Sequence, residues 1–326
     1  MKTSGILLFP LALLLSGCGG NDFQSALHPA SEEAKSISWL WWMMVVVYGL
    51  VFLVTLGLAG MAILKRKSID KAPTEAPGGP VKFVVVAGIV VPSIILLGIL
   101  VYSLRASSAM RAPETEFTIE VTGHRWWWDV RYPDHGIVSA NEIRIPVGVP
   151  VRLDLSSADV IHSFWVPNLH GKMDMMPDHV SRFWLQAERT GLFRGACAEF
   201  CGDQHARMGL DVYVMPRDEF DAWAAARGAP PAEAAAQARG HDVFFAAGCA
   251  ACHAIGGTEA VANVGPDLTH LAERRHLAAA FLPNNPENLA RWILEPQVLK
   301  PGNLMPPSHL APDELQALVD YLLTPR

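Results

Sequence analysis

Charge is scarce in this sequence. Asp, Glu, Lys and Arg make up 18% of its 326 residues, and two long stretches, Trp39 to Leu64 and Phe83 to Leu104, contain none of them. The formal net charge is −6, which argues against nucleic acid as a partner. Cysteine is scarce too, with five residues at positions 18, 197, 201, 249 and 252. Two close pairs in an exported protein are ordinarily read as disulfides. Here each pair stands beside a histidine, His205 or His253, and that favours a metal or a covalently held cofactor. What the chain has in excess is apolar surface, with 51% hydrophobic residues and a mean hydropathy of +0.22. The length allows two or three domains.

Residues 1–17 read as an export signal, with Lys2 giving the positive start and Ile6 to Leu15 the short apolar core. The signal ends in Leu15-Ser16-Gly17-Cys18, which resembles a bacterial lipobox with Cys18 as the lipidated residue. Residues 18–38 then form a segment outside the membrane. The two charge-free runs, 39–64 and 83–104, each exceed the roughly 20 residues a helix needs to cross the hydrocarbon core. The loop between them, 65–82, holds Lys65, Arg66, Lys67, Lys71 and Lys82 against Asp70 and Glu75. So basic a loop belongs on the cytoplasmic side, which puts both ends of the hairpin outside.

From Glu116 the hydrophobic period changes to two. Phe117, Ile119 and Val121 alternate with polar residues, as do Ile143, Ile145, Val147, Val149, Val151, Leu153 and Leu155. This predicts short strands in a sandwich or small barrel over 114–216. Near its end lies Cys197-Ala198-Glu199-Phe200-Cys201-Gly202-Asp203-Gln204-His205-Ala206-Arg207-Met208. Two thiolates, an imidazole and a thioether in one loop form a soft donor set that suits copper, with His162 upstream as a further donor. Two bridging thiolates can hold two copper ions that share one electron. A Cys197–Cys201 disulfide would leave His205 and Met208 unexplained, and Met is a poor zinc ligand.

An Ala-rich stretch with Pro230-Pro231, 224–239, reads as a linker, and the remaining 240–326 are helical in character. Cys249-Ala250-Ala251-Cys252-His253 matches the haem c attachment pattern: two thiols for the vinyl groups and His253 as an iron ligand. Met305 is the candidate distal ligand, with His309 and His276 as rivals. A Met/His pair suits electron transfer. This segment holds nine acidic residues against five basic ones, which would attract a basic donor.

The Cys197–Met208 segment resembles the copper A loop of cytochrome c oxidase subunit II, and His162-Ser163-Phe164-Trp165-Val166-Pro167 resembles that family's upstream histidine motif. With the tail included, nearly the whole mature chain resembles subunit II of the caa3 kind. The resemblance implies a multidomain fold: two transmembrane helices in a hairpin, an all-β cupredoxin-like copper A domain and an all-α cytochrome c domain. It further implies that Cys197 and Cys201 bridge both coppers, His162 and Met208 serve one, and His205 and the Glu199 carbonyl serve the other. The Glu199 side chain would bind magnesium at the contact with subunit I, where Asp159 and Asp174 match acidic positions. Trp126, in Gly123-His124-Arg125-Trp126-Trp127-Trp128, would receive the electron.

The implied partners are oxidase subunits I and III, membrane lipid, and cytochrome c or a quinol–cytochrome c reductase as donor. The implied place is the bacterial inner membrane, with both redox domains on the periplasmic face, and oxygen reduction with proton pumping falls to subunit I. Two departures stand out. Val85 and Phe83 occupy the region where many relatives carry a carboxylate, and Pro177-Asp178-His179 replaces Pro-Gly-Arg. A copper A subunit of a nitric oxide reductase, a stand-alone membrane-tethered carrier and a copper-delivery protein stay open as alternatives.

Overall fold

The computed structural model describes residues 22–65, 79–109, 112–228 and 238–325. The signal segment, Cys18, most of the basic loop and the centre of the linker lie outside these. The chain divides into two units: residues 35–112, and residues 1–34 together with 113–326.

The first unit holds the apolar helices. Helix α1 spans Glu32–Leu64, and the second runs as α2 (Gly79–Val85), a π-helical turn (Val86–Val90) and α3 (Val91–Ala109). Both are long and apolar enough to cross a membrane. Helix α1 begins seven residues before the charge-free run. Ser31 Oγ accepts the Ala34 amide (3.0 Å), and Glu32 and Glu33 favour the positive end of the helix dipole.

The second unit begins with a sandwich of two five-stranded sheets. One sheet has the order β3-β2-β1-β5-β8, with β1 Thr118–His124, β2 Trp127–Tyr132, β3 Ile137–Ala140, β5 Val151–Ser157 and β8 Ser181–Leu185. The other has the order β4-β10-β9-β6-β7, with β4 Glu142–Pro146, β6 His162–Trp165, β7 Met173–Met175, β9 Gly191–Cys197 and β10 Gly209–Met215. The alternation seen in the sequence is the burial pattern: Val151, Leu153 and Leu155 are fully buried while Arg152 and Asp154 between them are not. Ile119, Val121, Phe164 and Val212 complete an apolar core between the sheets, as in a cupredoxin-like sandwich.

Helix α4 (Arg217–Gly228) follows, five residues longer than the linker boundary at 224 anticipates. Alanine favours the helix, and Ala224 and Arg227 are buried, so packing carries it onward. The last domain comprises α5 (Ala238–Ala246), α6 (Pro286–Leu294), α7 (Pro296–Leu299) and α8 (Pro312–Leu322). Gly240 lets α5 approach α8; a Cβ there would meet the Ala317 carbonyl at 2.3 Å. A two-stranded ribbon, β11 (His276–Leu277) and β12 (Leu282–Pro283), departs from the all-α expectation. Its loop places Ala278, Ala279 and Ala280 at φ 52°, 63° and 56°. Left-handed backbone costs an L-residue roughly 1–2 kcal/mol, so this loop holds only because its surroundings fix it.

Candidate metal centre

The sandwich gathers the predicted donors by joining two strands that are remote in sequence. β6 pairs antiparallel with β9, setting Phe164 opposite Cys197, and so brings His162 beside the loop that leaves β9. His162, Cys197 and Cys201 offer ligand atoms all within 4.8 Å of one another, and all three residues are buried. Cys197 Sγ lies 3.8 Å from His162 Nδ1 and 3.2 Å from the Glu199 carbonyl oxygen. Cys201 Sγ lies 3.6 Å from His205 Nδ1 and 3.8 Å from Met208 Sδ. The thiols are not joined as a disulfide. All six anticipated donors therefore converge, as two thiols each flanked by further donors. That arrangement fits a thiolate-bridged pair of soft metal ions.

The electrostatics suit the same purpose. The Cys197 thiol is held far below its ordinary range, first by its hydrogen bond with Cys201 and then by His162. The same shared proton, together with burial, pushes Cys201 up. His162 Nε2 bonds Asp159 Oδ1 at 2.8 Å, leaving Nδ1 toward the thiolates. A carboxylate on the outer nitrogen fixes the tautomer of a ligating histidine. Asp159, which the family resemblance put near the contact with subunit I, thus takes a nearer role; Asp159 also accepts the Arg125 amide (2.7 Å). Asp174 sits on β7, exposed.

Sequence reasoning missed Gly123. A Cβ there would stand 2.8 Å from His162 Cδ2, so only glycine admits the imidazole. Its place at the head of the aromatic stretch was the available signal. Trp126 is buried, with 7% exposure, and its indole N–H donates to the Cys201 carbonyl at 3.0 Å. It touches the loop at Gly202, where φ is +113° and a Cβ would meet the ring at 3.0 Å.

The second site opens after α5 with the turn Cys249–Ala251. Cys249 and Cys252 are free, half-buried thiols. His253 Nδ1 donates to the Pro266 carbonyl at 2.7 Å, which leaves Nε2 for iron. A Cβ at Gly265 would lie 2.5 Å from His253 Cε1, so this glycine is a cradle for the ring. Both observations fit a haem c proximal histidine. Burial lowers the pKa of His253, keeping the ring neutral and able to ligate. Met305 is half-buried against the core of this domain, with its amide held by Asn303 Oδ1 (2.8 Å) and its carbonyl by Gln297 Nε2 (2.8 Å). Of its rivals, His309 is exposed, and His276 is taken by Asp211 of the sandwich, Nδ1 to Oδ2 at 2.5 Å.

Comparison with known proteins follows this division. Residues 136–215 match the family described as cytochrome c oxidase subunit II, periplasmic domain, and residues 237–325 match cytochrome c. A cytochrome c oxidase subunit 2 from Alkalihalophilus pseudofirmus is 36% identical over 326 residues, covering 96% of this chain and 94% of its own. The chain belongs to the cytochrome c oxidase subunit 2 family. The Bacillus subtilis member is 31% identical and covers 97% of this chain and 96% of its own. The solved periplasmic domain of subunit II of cytochrome oxidase from Bradyrhizobium japonicum is 32% identical, with a TM-score of 0.35, and covers 36% of this chain and 96% of that one. As a subunit 2 with a cytochrome c domain, the protein is part of a haem–copper oxidase, an oxidoreductase complex with catalytic subunits. Its two domain types imply copper A and haem c, and its periplasmic domain with two apolar helices implies membrane anchoring.

Proposed function

We propose that this subunit 2 takes electrons from cytochrome c, or directly from a quinol–cytochrome c reductase, and passes them via haem c and copper A to the catalytic subunit I of an oxygen-reducing, proton-pumping terminal oxidase. The observation that supports it best is the convergence of His162, Cys197, the Glu199 carbonyl, Cys201, His205 and Met208 around two buried thiols. When bound, the copper pair and haem c each supply a one-electron carrier. Cys197 and Cys201 would bridge the metals, His162 and Met208 would serve one, and His205 with the Glu199 carbonyl the other. Asp159 orients His162 through its outer nitrogen. In the tail, Cys249 and Cys252 would hold the haem covalently, and His253 and Met305 would ligate its iron. Trp126 would receive the electron, because its indole N–H ends on the carbonyl of a bridging cysteine.

The Glu199 side chain would bind magnesium with subunit I, subunit III would join the complex, and Cys18 would carry lipid. The site of action would be the bacterial inner membrane, with both redox domains on the outer face.

The test is spectroscopy on the purified complex. It should give a low-spin haem c band and a mixed-valence two-copper EPR pattern. Cys197→Ser should abolish the copper pattern and leave haem c intact; loss of both from a folded protein would refute separate sites. An oxygen electrode beside a nitric oxide electrode then identifies the acceptor, and uptake of nitric oxide alone would overturn the oxygen reading.

A further inference from the structure

The cytochrome domain is seated on the copper loop through a specific set of contacts. Lys300, at the end of α7, is 3% exposed although it is a lysine. Its ammonium donates to the Trp126 carbonyl at 2.8 Å and to the Ala278 carbonyl at 3.0 Å. It thus ties the strained alanine loop of its own domain to the tryptophan of the other. Around it, Gln204 Nε2 donates to the Pro301 carbonyl (2.8 Å) and Arg207 Nη1 to the Leu299 carbonyl (2.6 Å). Arg207 also stacks over Phe281, 4.7 Å from the ring centre. The Gly209 amide, first residue of β10, donates to the Ala279 carbonyl at 3.0 Å. A Cβ at Gly302 would lie 3.6 Å from the Trp126 ring, so the 300–302 turn covers that ring.

Two features mark this as a built contact. The alanine loop takes an unfavourable backbone conformation, which persists only where the surroundings fix it, and its carbonyls point at Lys300 and Gly209. A buried lysine also bears a large desolvation cost, which its bonds to two carbonyls, one in each domain, help to offset. Burial pushes its pKa down to about 7.

We propose that Lys300 is a positioning residue that clamps the cytochrome c domain onto Trp126, setting the route by which an electron passes from that domain to the copper site within one chain. This rests on the function proposed above. The transfer moves one electron: the cytochrome domain is oxidised by one, the copper site is reduced by one, no bond changes and no proton is required. The route runs from the 300–302 turn to the Trp126 ring, and through its N–H to the Cys201 carbonyl. The clamp also closes Trp126 to a soluble donor, which must then dock on the cytochrome domain. Burial of Arg274 and Lys300 removes two of the five bases in residues 240–326 from the surface and leaves it more acidic.

The test uses the assembled oxidase carrying Lys300→Met, a side chain of similar length without the donor. The haem band and copper EPR pattern should stay unchanged, and so should reduction of haem c by its donor. The Gly209 amide should exchange hydrogen about tenfold faster, because its acceptor loop is released. Electron transfer from photoreduced haem c to copper should slow by about tenfold or more as the contact loosens. Lys300→Gln, which keeps a donor for the Trp126 carbonyl, should recover much of both losses. Unchanged Gly209 exchange and unchanged transfer in Lys300→Met would overturn the proposal, as would a glutamine variant no better than methionine. If Lys300→Met loses either cofactor, Lys300→Gln decides. Normal cofactors with near-normal exchange support the clamp; the same collapse makes Lys300 merely structural and overturns it. Failure of the underlying function is separate, since it would remove the spectra of the unsubstituted protein, whereas Gly209 exchange reads the clamp without them.

Discussion

Gly123→Ala isolates the steric requirement of the copper site. The new methyl group would stand 2.8 Å from His162 Cδ2, 3.0 Å from Cγ and 3.3 Å from Cβ. Ordinary contact begins near 3.4 Å, so the ring must retreat by roughly 0.6 Å. It has little freedom to do so: His162 is fully buried, its Nε2 is bonded to Asp159 at 2.8 Å, and its Nδ1 faces Cys197. Overpacking of this kind costs about 1–3 kcal/mol. If the ring turns away instead, it gives up a hydrogen bond to a carboxylate, worth about 1.5–3 kcal/mol. Either way Nδ1 leaves its position, and a disturbed outer shell typically weakens metal binding by about 10–100-fold. The expected outcome is a copper A EPR pattern lost at low copper and partly restored by excess copper, with the haem c band untouched. Copper titration followed by EPR measures it. An unchanged pattern and affinity would refute the reasoning, because it would mean that His162 does not need the space Gly123 leaves.

Two further outcomes follow from the same structure. Gly265→Ala presses on the His253 ring at 2.5 Å and should break its bond to the Pro266 carbonyl, shifting the haem c midpoint potential while copper A stays normal; a potentiometric titration checks this. Burial holds His170 at about 4, and its Nδ1 accepts the Gly171 amide in the neutral form. The unfolded chain takes up a proton below about 6.5 and the folded one only below about 4, so stability is full above 6.5 and falls between these values, by about 3 kcal/mol at most. Thermal unfolding of His170→Phe should lose that part of the acid sensitivity, and equal pH profiles for the two proteins would sink the assignment.

Much of the site was legible before any fold was known, because the chemistry is local. Cys197, Cys201, His205 and Met208 occupy one loop, and a loop of soft donors reads as a copper site wherever it is placed. Cys249, Cys252 and His253 lie within five residues for the same reason. The strands were legible from the alternation of Val151, Leu153 and Leu155, and the two apolar helices from their missing charges. The end of α4 was not, because Ala224 to Gly228 continue the helix through burial that composition does not reveal.

Long-range partners were beyond a reading of neighbours. Nothing in the spacing says that Gly123 makes room for the His162 ring, or that Pro266 anchors His253. These depend on which strands pair and which backbones pass close by. His276 looked like a rival haem ligand until the fold placed it against Asp211. The burial of Lys300 between two carbonyls of different domains is a property of packing alone. The sequence by itself determined which donor atoms are on offer and which redox chemistry they suit, since that follows from the residue types. Tertiary structure decided how those ligands are oriented and how one redox domain meets the other, since orientation comes from contacts between residues far apart in the chain.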